Sequence, residues 1–428
     1  SDVAQKIAAA LKAALTPEEK VYIEKKPTDN MEAYDYFLKG KHFWNTKTTQ
    51  EGNQKAVDLF DKATKLDPDF ALAYAWASIV HSTLYSALAW DHTQARKELA
   101  KGALDKALAL DPDHPMVHFA KGVYQTDCLK DYNSALREYE IAFKGEPNNG
   151  EIGEYLGTLY MKLGNWKKAE ETLLKAYELN PLGLNIAWRV GSFYKIQRQF
   201  DKAEHYYNLA IQSNPEQRHF YRGKAYNYLY GFGDIKKARS LLKNAETIIL
   251  NPEGLLRAQF RTEIFARDFS KALRYAKEEK KRIPLPRTFR VGRAYYYQGE
   301  EKLAQEEFKS LRVYYENKVL EEGPDKALFQ DNLGLIYAYL GLKDKAIEEG
   351  KKGTDLLPVS KDHIVGTYLV EDLAIIYILT GKLELALDKL EYLLSIPGYL
   401  TIWTLRLDPA YDPLRDNPRF QKLINKKD

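Results

Sequence analysis

The sequence predicts an all-α solenoid of about ten helix pairs. Three prolines, Pro147, Pro181 and Pro215, recur at a spacing of 34 residues, and each follows an acidic or amide residue. Proline ends one helix and can open the next, because it lacks an N–H group and clashes with the preceding turn. A fixed period of this length is typical of a repeat array, in which each unit buries its apolar face against its neighbours.

Small residues keep the same distance from each of these prolines. Alanine lies twelve residues and again five residues before each one. Small side chains at these places let two antiparallel helices cross closely, and bulky side chains such as Tyr160 and Leu173 fill the gaps between them. The alanines are Ala135, Ala169 and Ala203 at the first place, and Ala142, Ala176 and Ala210 at the second.

The repeating unit resembles the tetratricopeptide repeat, in which Gly, Tyr, Ala, an aromatic residue, Ala and Pro follow in this order. The best copy in the chain reads GEIGEYLGTLYMKLGNWKKAEETLLKAYELNP. The resemblance covers about ten units between residues 31 and 398, and the poorest copy lies at 253–284. It implies a right-handed superhelix with capping helices at both ends.

We expect four regions along the chain, with insertions in the regular array near residues 46–53 and 82–96. The two terminal regions supply caps that cover the apolar faces of the outermost repeats, which an array needs for solubility. The regions are N-terminal capping helices at 1–30, the regular array at 31–252, more divergent repeats at 253–398 and a C-terminal cap at 399–428.

The two ends of the chain carry a narrower resemblance. The stretches DVAQKIAAALKAALTPEEK at 2–20, EAYDYFLKGKHFWNTKT at 32–48, KAVDLFDKATKLDPDFALAYA at 55–75 and the ending LDPAYDPLRDNPRF at 407–420 are similar to the C-terminal repeat halves of certain bacterial membrane-linked signalling proteins, a resemblance that covers the whole chain. These include Ser/Thr kinases, class III adenylate cyclases and winged-helix regulators. The resemblance implies a sensory or assembly segment of a longer protein, a soluble fragment on the cytoplasmic or extracytoplasmic side of a bacterial membrane. None of the kinase or cyclase chemistry lies in this chain.

Composition narrows the classes of partner. The 64 basic and 60 acidic side chains nearly balance, and a net charge of +4 is far below that of a typical nucleic-acid binder. No apolar run approaches the roughly 18 residues of a membrane-spanning helix. We therefore expect a protein or peptide partner, no nucleic acid and no direct membrane insertion of this fragment. The oligomeric state stays open.

Motifs of enzyme chemistry are missing from the sequence. It contains no Gly-rich phosphate loop, GxSxG elbow, HExxH helix or EF-hand loop. Cys128 is the only cysteine, which excludes an intrachain disulfide and a thiolate metal cluster. His114 and His118 are four residues apart, but Pro115 is expected to begin a helix between them, so they do not share a helical face. We expect no enzyme activity, no cofactor and no metal.

Candidate groove residues follow from the resemblance. In the tetratricopeptide family, the second, fifth, ninth, twelfth and thirteenth positions of each first helix line the concave groove. Amphipathic rings, amides and isolated charges at such positions suit peptide recognition. The predicted groove consists of Phe119, Thr126, Glu154, Asn185, Trp188, Lys195, Phe220, Asn227, Tyr230, Phe289, Arg293, Tyr296 and Tyr297.

Two functions remain open at this stage. The first is a non-enzymatic protein- or peptide-binding scaffold, and the alternative is a small-molecule or glycan receptor that uses the same aromatic residues in an inner pocket. Trp188 suits either a groove-facing position or stacking on the neighbouring repeat. No repeat pairs a lysine at the fifth position with an asparagine at the ninth. Asn227 occupies a ninth position, but Gly223 stands at the fifth position of the same repeat. A chaperone-tail adaptor is therefore not expected.

Overall fold

A computed structural model describes residues 26–46, 49–86, 91–282 and 289–425. Within these ranges the regular elements are helices, and they form ten consecutive antiparallel pairs before two short C-terminal helices. The predicted all-α solenoid is confirmed. Most of the N-terminal cap predicted at 1–30 lies outside the described residues.

The first four pairs precede residue 186. They are α1 (Met31–Thr46) with α2 (Gln50–Leu66), α3 (Ala71–Ser86) with α4 (Gln94–Leu110), α5 (Pro115–Tyr124) with α6 (Tyr132–Gly145), and α7 (Gly150–Lys162) with α8 (Trp166–Leu179).

Six further pairs and two short helices complete the chain. They are α9 (Ile186–Ile196) with α10 (Phe200–Ser213), α11 (Arg218–Asn227) with α12 (Ile235–Glu246), α13 (Leu256–Phe265) with α14 (Phe269–Arg282), α15 (Arg290–Gln298) with α16 (Glu301–Lys318), α17 (Lys326–Tyr339) with α18 (Lys343–Leu356), α19 (His363–Leu379) with α20 (Leu383–Ser395), and finally α21 (Ile402–Leu407) and α22 (Pro418–Ile424).

The described residues divide into two compact units. Unit 1 extends to Tyr160 and includes Asn165–Ile186, whereas unit 2 contains Met161–Gly164 and everything from Ala187 onward. Unit 1 therefore holds nearly all of the first four pairs, and unit 2 holds the last six.

The residues that recur in the sequence are the residues that pack between the helices. The alanines that lie twelve residues before the prolines, Ala135, Ala169 and Ala203, are fully buried in α6, α8 and α10. A Cβ atom built on Gly122 of α5 would lie only 2.4 Å from the ring of Tyr139 in α6. Helix pairs can approach this closely only where the repeat places a small residue opposite a bulky one.

The predicted insertions near 46–53 and 82–96 mainly lengthen helices. α1 and α2 have 16 and 17 residues, whereas α7 and α8 in a regular repeat have 13 and 14. Thr49 and Thr93 accept hydrogen bonds from the backbone N–H groups of Gly52 and Arg96. These threonines cap α2 and α4, so the added residues extend the helical pairs.

The chain turns back after α20 and crosses to repeats that lie about 200 residues earlier in sequence. We call residues 396–412 the return segment. Gly398 N–H donates to the carbonyl of Ile196 at 3.0 Å, and the Thr401 hydroxyl donates to the carbonyl of Tyr230 at 2.7 Å. The C-terminal region therefore does more than cap the last repeat, which the sequence did not predict.

Two arginines in strained backbone conformations hold the return segment. The turn between the helices of a pair needs a residue with positive φ, and glycine fills this place at Gly164 and Gly233. Arg198 and Arg267 occupy it in the fifth and seventh repeats, with φ of 56° and 58°. Arg267 donates two hydrogen bonds to the Asp412 carboxylate, at 2.7 and 2.6 Å.

Arg198 binds main-chain carbonyls of α20 and of the return segment. Its guanidinium donates to Leu393, Leu394 and Leu400, with donor–acceptor distances of 3.0 to 3.3 Å. Leu393 and Leu394 lie in the last turn of α20, whose carbonyls have no helical partner. Arg198 therefore caps α20 and fastens the return segment at the same time.

The last helix covers the end of the array. Phe420, Leu423 and Ile424 of α22 are buried in one apolar cluster with Leu387 and Leu390 of α20. This burial closes the apolar face of the tenth pair, as a capping helix does.

Replacing Arg198 by glycine should destabilise the protein by about 2 kcal/mol. Glycine relieves the strain of a positive φ, but the loss of charged hydrogen bonds to three carbonyls outweighs that gain. Differential scanning calorimetry of the variant measures the effect on the unfolding transition of unit 2.

Lys130 offers the matched control. It occupies the same turn position in the third repeat with φ of 55°, and no hydrogen bond of its side chain is observed. Lys130→Gly should stabilise unit 1 by up to about 1 kcal/mol, because only strain is removed. An Arg198→Gly variant as stable as Lys130→Gly would show that Arg198 does not hold the return segment.

Candidate functional site

Four of the thirteen predicted groove residues lie in unit 1, and they do not form a shared open surface. Phe119 is fully buried and packs edge-on against Tyr155, with ring centroids 5.0 Å apart. Glu154 is buried, and Thr126 and Asn185 are half-buried. Phe119 therefore belongs to the core of unit 1.

Unit 2 holds the other nine predicted residues. Phe220 and Asn227 are fully buried, and the Asn227 amide donates to the carbonyl of Phe200 at 2.9 Å. Both residues therefore support packing between repeats. Phe289 is half-buried and stacks on Tyr315, with ring centroids 5.9 Å apart. Tyr296 is the most exposed of the nine, at 43%.

Trp188 lies against the next repeat. Its ring packs edge-on on His219, with centroids 5.0 Å apart, and its indole nitrogen lies 2.9 Å from the position that a Cβ atom on Gly223 would take. The indole N–H is buried and has no acceptor. Gly223 is therefore required for this close approach, and Trp188 packs against the neighbouring repeat.

A buried ion pair joins the return segment to the first helices of unit 2. Arg261 of α13 contacts Asp408 at 2.7 Å, and Arg293 of α15 lies 3.9 Å from the same carboxylate. Asp408 is only 1% exposed. Burial opposes the charge of Arg261, but Tyr230 and Asp408 raise its pKa, and the net result is a pKa above the ordinary value.

Predicted residues Arg293, Tyr230 and Tyr297 meet at this ion pair. The Arg293 guanidinium donates to the Tyr297 hydroxyl at 3.3 Å, and the Tyr230 carbonyl accepts from Thr401. The chain's own return segment therefore occupies the surface that these three residues form.

The carboxyl groups next to the ion pair have raised pKa values. Burial raises the pKa of Glu371 to about 7, and the Tyr411 hydroxyl donates to Glu371 at 2.9 Å. Burial also raises the pKa of Asp331 and of Asp372, which interact across α17 and α19. Protonation of these acids leaves the arginines with less compensating negative charge.

Lys195 of α9 has no acidic partner among the residues that the structure describes. It is 7% exposed, and its Nζ lies 5.1 Å from the ring centroid of Tyr399 and 5.8 Å from that of Tyr226. Burial, followed by the charge of Arg222, lowers the pKa of Lys195 to about 7. Aromatic rings attract a cation, but they stabilise its charge less than a carboxylate would.

Positive charge accumulates around Lys195. Arg222 of α11 is half-buried, burial lowers its pKa, and no carboxylate of the described residues pairs with it. Burial lowers the pKa of His219 to about 3, and Arg222, Arg189 and Arg218 contribute to that shift. This part of unit 2 is therefore electropositive.

Tyrosine rings line the same place. Tyr368 of α19 stacks on Tyr399 of the return segment, with centroids 4.9 Å apart, and Tyr226 stacks on Tyr230 at 5.4 Å. Tyr368 is 44% exposed, yet burial raises its pKa well above the ordinary value. Both observations hold for a ring that faces a recess within the unit. We call Lys195, Arg222, Tyr226, Tyr368 and Tyr399 the basic–tyrosine recess.

Of these five residues, only Lys195 was predicted from the sequence. Arg222 and Tyr226 lie on a first helix but at positions that the family pattern does not assign to the groove. Tyr399 belongs to the region expected to be a cap. The high tyrosine content of the sequence indicated an aromatic binding site. The sequence could not indicate which tyrosines form it, because they come together through contacts between distant parts of unit 2.

The histidine pair of the sequence has structural roles. Pro115 begins α5 as predicted, and His114 caps the helix by accepting the N–H of Met116 at 3.1 Å. His118 contacts the Glu138 carboxylate at 2.7 Å, and Lys121 contacts the same carboxylate. Cys128 is buried, which raises the pKa of its thiol to about 12.

Two other kinds of feature are absent from the described ranges. They contain no group of three or more His, Cys, Asp or Glu side chains placed to hold a metal ion. None of their helices combines the length and apolar character needed to cross a membrane.

Two stretches of the chain match family models described as tetratricopeptide repeat. The first covers residues 129–183, and the second covers residues 184–217. They begin in the third helix pair and extend through the fifth.

Curated relatives are similar over longer stretches at low identity. A TPR repeat-containing protein of Methanocaldococcus jannaschii is 24% identical over 354 residues, which is 81% of this chain and 54% of that protein. Tetratricopeptide repeat protein 37 of Xenopus laevis is 22% identical over 45% of this chain and 14% of its own length. The chain thus spans about half or less of these relatives.

Solved structures share the fold. A monomeric mutant of IFIT1 with m7Gppp-AAAA has a TM-score of 0.50 and 17% identity, and the match covers 83% of this chain and 76% of that one. A tetratricopeptide repeat protein from Parabacteroides merdae has a TM-score of 0.42 and 17% identity, over 63% of this chain and 99% of that one. The two family-model matches show that the chain contains tetratricopeptide repeats, and proteins built from such repeats generally serve as non-enzymatic, protein-binding scaffolds.

Proposed function

We propose that this chain is a non-enzymatic scaffold that binds protein segments along the first helices of its repeats. The observation that carries the proposal is the return segment, a stretch of polypeptide that lies against α9, α13 and the π-helical turn Tyr228–Phe232 that follows α11. Hydrogen bonds to the main-chain carbonyls of Ile196 and Tyr230 and the ion pair with Arg261 hold it there. These contacts are of the kind that would hold a partner's segment.

The accessible aromatic residues on the first helices are the expected contacts of a partner. Trp188 keeps part of its ring exposed, and Tyr296 exposes 43% of its surface. Large rings at the centre of an interface contribute much of its affinity. Arg293 and Asn227, in contrast, are committed to internal contacts and are expected to act indirectly.

Replacing Tyr296 by alanine should weaken partner binding by about tenfold or more, because an exposed aromatic anchor is lost. Partner segments can be selected from a displayed library of genome fragments of the source organism. Biolayer interferometry then measures the affinity of the selected peptides for the wild type and for the variant.

Tyr392 of α20 is the matched control, since it is also 43% exposed but lies on a second helix. Tyr392→Ala should leave the affinity unchanged. Equal losses in the two variants, or a loss only with Tyr392→Ala, would place the binding surface on the second helices and contradict the proposal.

We also propose that the chain is the sensory or assembly segment of a longer bacterial signalling protein. The support is the likeness of residues 2–20 and 407–420 to the repeat halves of such proteins. An immunoblot of source-organism lysate with an antibody against this chain should detect a species well above 49.3 kDa. A single species at 49.3 kDa would contradict this assignment.

The basic–tyrosine recess favours a second candidate function, a receptor for a small molecule. The specific observation is Lys195, a buried cation that faces tyrosine rings and has no acid beside it. A scaffold that binds only protein segments does not require such a group.

A further inference from the structure

Lys195 is a buried cation without an anion. Its ammonium group faces the rings of Tyr399, Tyr226 and Tyr207, with distances of 5.1, 5.8 and 5.9 Å to their centroids. Among the described residues, no carboxylate forms a hydrogen bond or ion pair with it. An unpaired charge in the interior is costly, and a bound anion removes that cost.

Arg222 brings a second cation to the same place. It lies on the neighbouring first helix, α11, and it influences the electrostatics of Lys195, Tyr226 and Tyr368. The guanidinium fork suits a carboxylate or a phosphate, because it can donate two parallel hydrogen bonds to either group. Together the two side chains can neutralise one oxyanion.

The acids of the return segment do not fill this site. Asp408 is committed to Arg261 and Arg293, and Asp412 is committed to Arg267. Both carboxylates are therefore committed to other arginines, and Lys195 and Arg222 have no carboxylate partner among the described residues.

The walls of the recess suit an aromatic ring. Tyr368 and Tyr399 stack with an interplanar angle of 18°, and Tyr226 and Tyr230 stack with an angle of 12°. The 44% exposure of Tyr368 leaves part of its ring without a protein neighbour. A flat ligand can cover that surface, since offset stacking and edge contacts between rings are favourable.

We propose that the basic–tyrosine recess binds a small aromatic molecule that carries a carboxylate or a phosphate. Lys195 and Arg222 hold the oxyanion, and the ring packs against Tyr368, Tyr399 and Tyr226. This activity goes beyond the binding of protein segments. Because Tyr399 belongs to the return segment, the ligand also fastens that segment to the first helices.

Isothermal titration calorimetry of the full chain with two ring-bearing anions, phenyl phosphate and benzoate, tests the proposal at fixed ionic strength. Methyl phosphate and acetate carry the same charged groups without the ring, and benzyl alcohol carries the ring without the charge. At least one ring-bearing anion should bind with an affinity about tenfold or more above those of all three controls. No saturable binding of either ring-bearing anion would overturn the proposal, and so would a result in which phenyl phosphate binds no more tightly than methyl phosphate and benzoate no more tightly than acetate.

Variants locate the binding. Lys195→Met and Arg222→Met should each lower the affinity by about tenfold or more, because each removes a charged hydrogen bond to the ligand. Lys202→Met is the matched control, since Lys202 is exposed on α10 of the same repeat and contacts the ring of Tyr194. Unchanged affinity in Lys195→Met and Arg222→Met, or an equal loss in Lys202→Met, would overturn the assignment. Tyr368→Ala removes a ring that is 44% exposed and that the ligand is expected to cover, and it provides a second test if the charge variants fold poorly.

The affinity for benzoate should fall as the pH rises from 6 to 9. Benzoate stays ionised over this range, whereas Lys195 loses its proton near pH 7 in the absence of ligand. The other titratable groups around Lys195 are Arg222 and the side chains of Tyr207, Tyr226 and Tyr399, whose rings lie against its ammonium group. Burial raises the pKa of Tyr207, and it raises that of Tyr399 to about 12. A pH-independent affinity would contradict the role of Lys195.

The scaffold function is tested separately. If the anions do not bind but selected peptides still depend on Tyr296, this inference fails and the scaffold proposal stands. If the anions bind and no peptide depends on Tyr296, the scaffold proposal fails and this inference stands.

Discussion

The ion pair between Arg261 and Asp408 joins parts of unit 2 that are almost 150 residues apart in sequence, and the interior of the unit depends on it. Asp408 begins the short turn of helix at Pro409–Leu414, and its carboxylate also accepts the N–H of Ala410 at 3.0 Å. One residue thus shapes the return segment and anchors it to α13. Breaking a buried pair of this kind leaves an uncompensated charge, which typically costs about 3 to 5 kcal/mol. The segment therefore has one favoured position.

The same closure determines the chemistry of the interior. Because the return segment supplies Tyr399, it removes water from around Lys195 and shifts the lysine toward its neutral form. Burial lowers the pKa of the lysine, whereas it raises the pKa of the neighbouring Glu371 to about 7. Because the pKa values of Lys195 and Glu371 are both about 7, a bound charge readily shifts the protonation of these two groups. Ligand binding and the position of the return segment are in this way linked through electrostatics.

The repeat architecture could be predicted from the sequence because the 34-residue spacing of Pro147, Pro181 and Pro215 reports local packing. The site could not, for two physical reasons. One-residue π-helical expansions at Gln125–Leu129 and Tyr228–Phe232 shift the helical phase, so that the groove pattern loses its register at Thr126 and Tyr230. The return segment makes contacts across about 200 residues, and a periodic pattern carries no information about them.

The central claim is that unit 2 encloses Lys195 as an unpaired cation, and the pKa of its ammonium group tests this most directly. Lysine labelled with ¹³C at Cε can be followed by NMR from pH 5 to 11 in a buffer without oxyanions, with Lys195→Arg used to assign the resonance. The account predicts a titration midpoint near 7. A midpoint near the ordinary lysine value of about 10.4 would contradict it, because the side chain would then be solvated or paired with an acid.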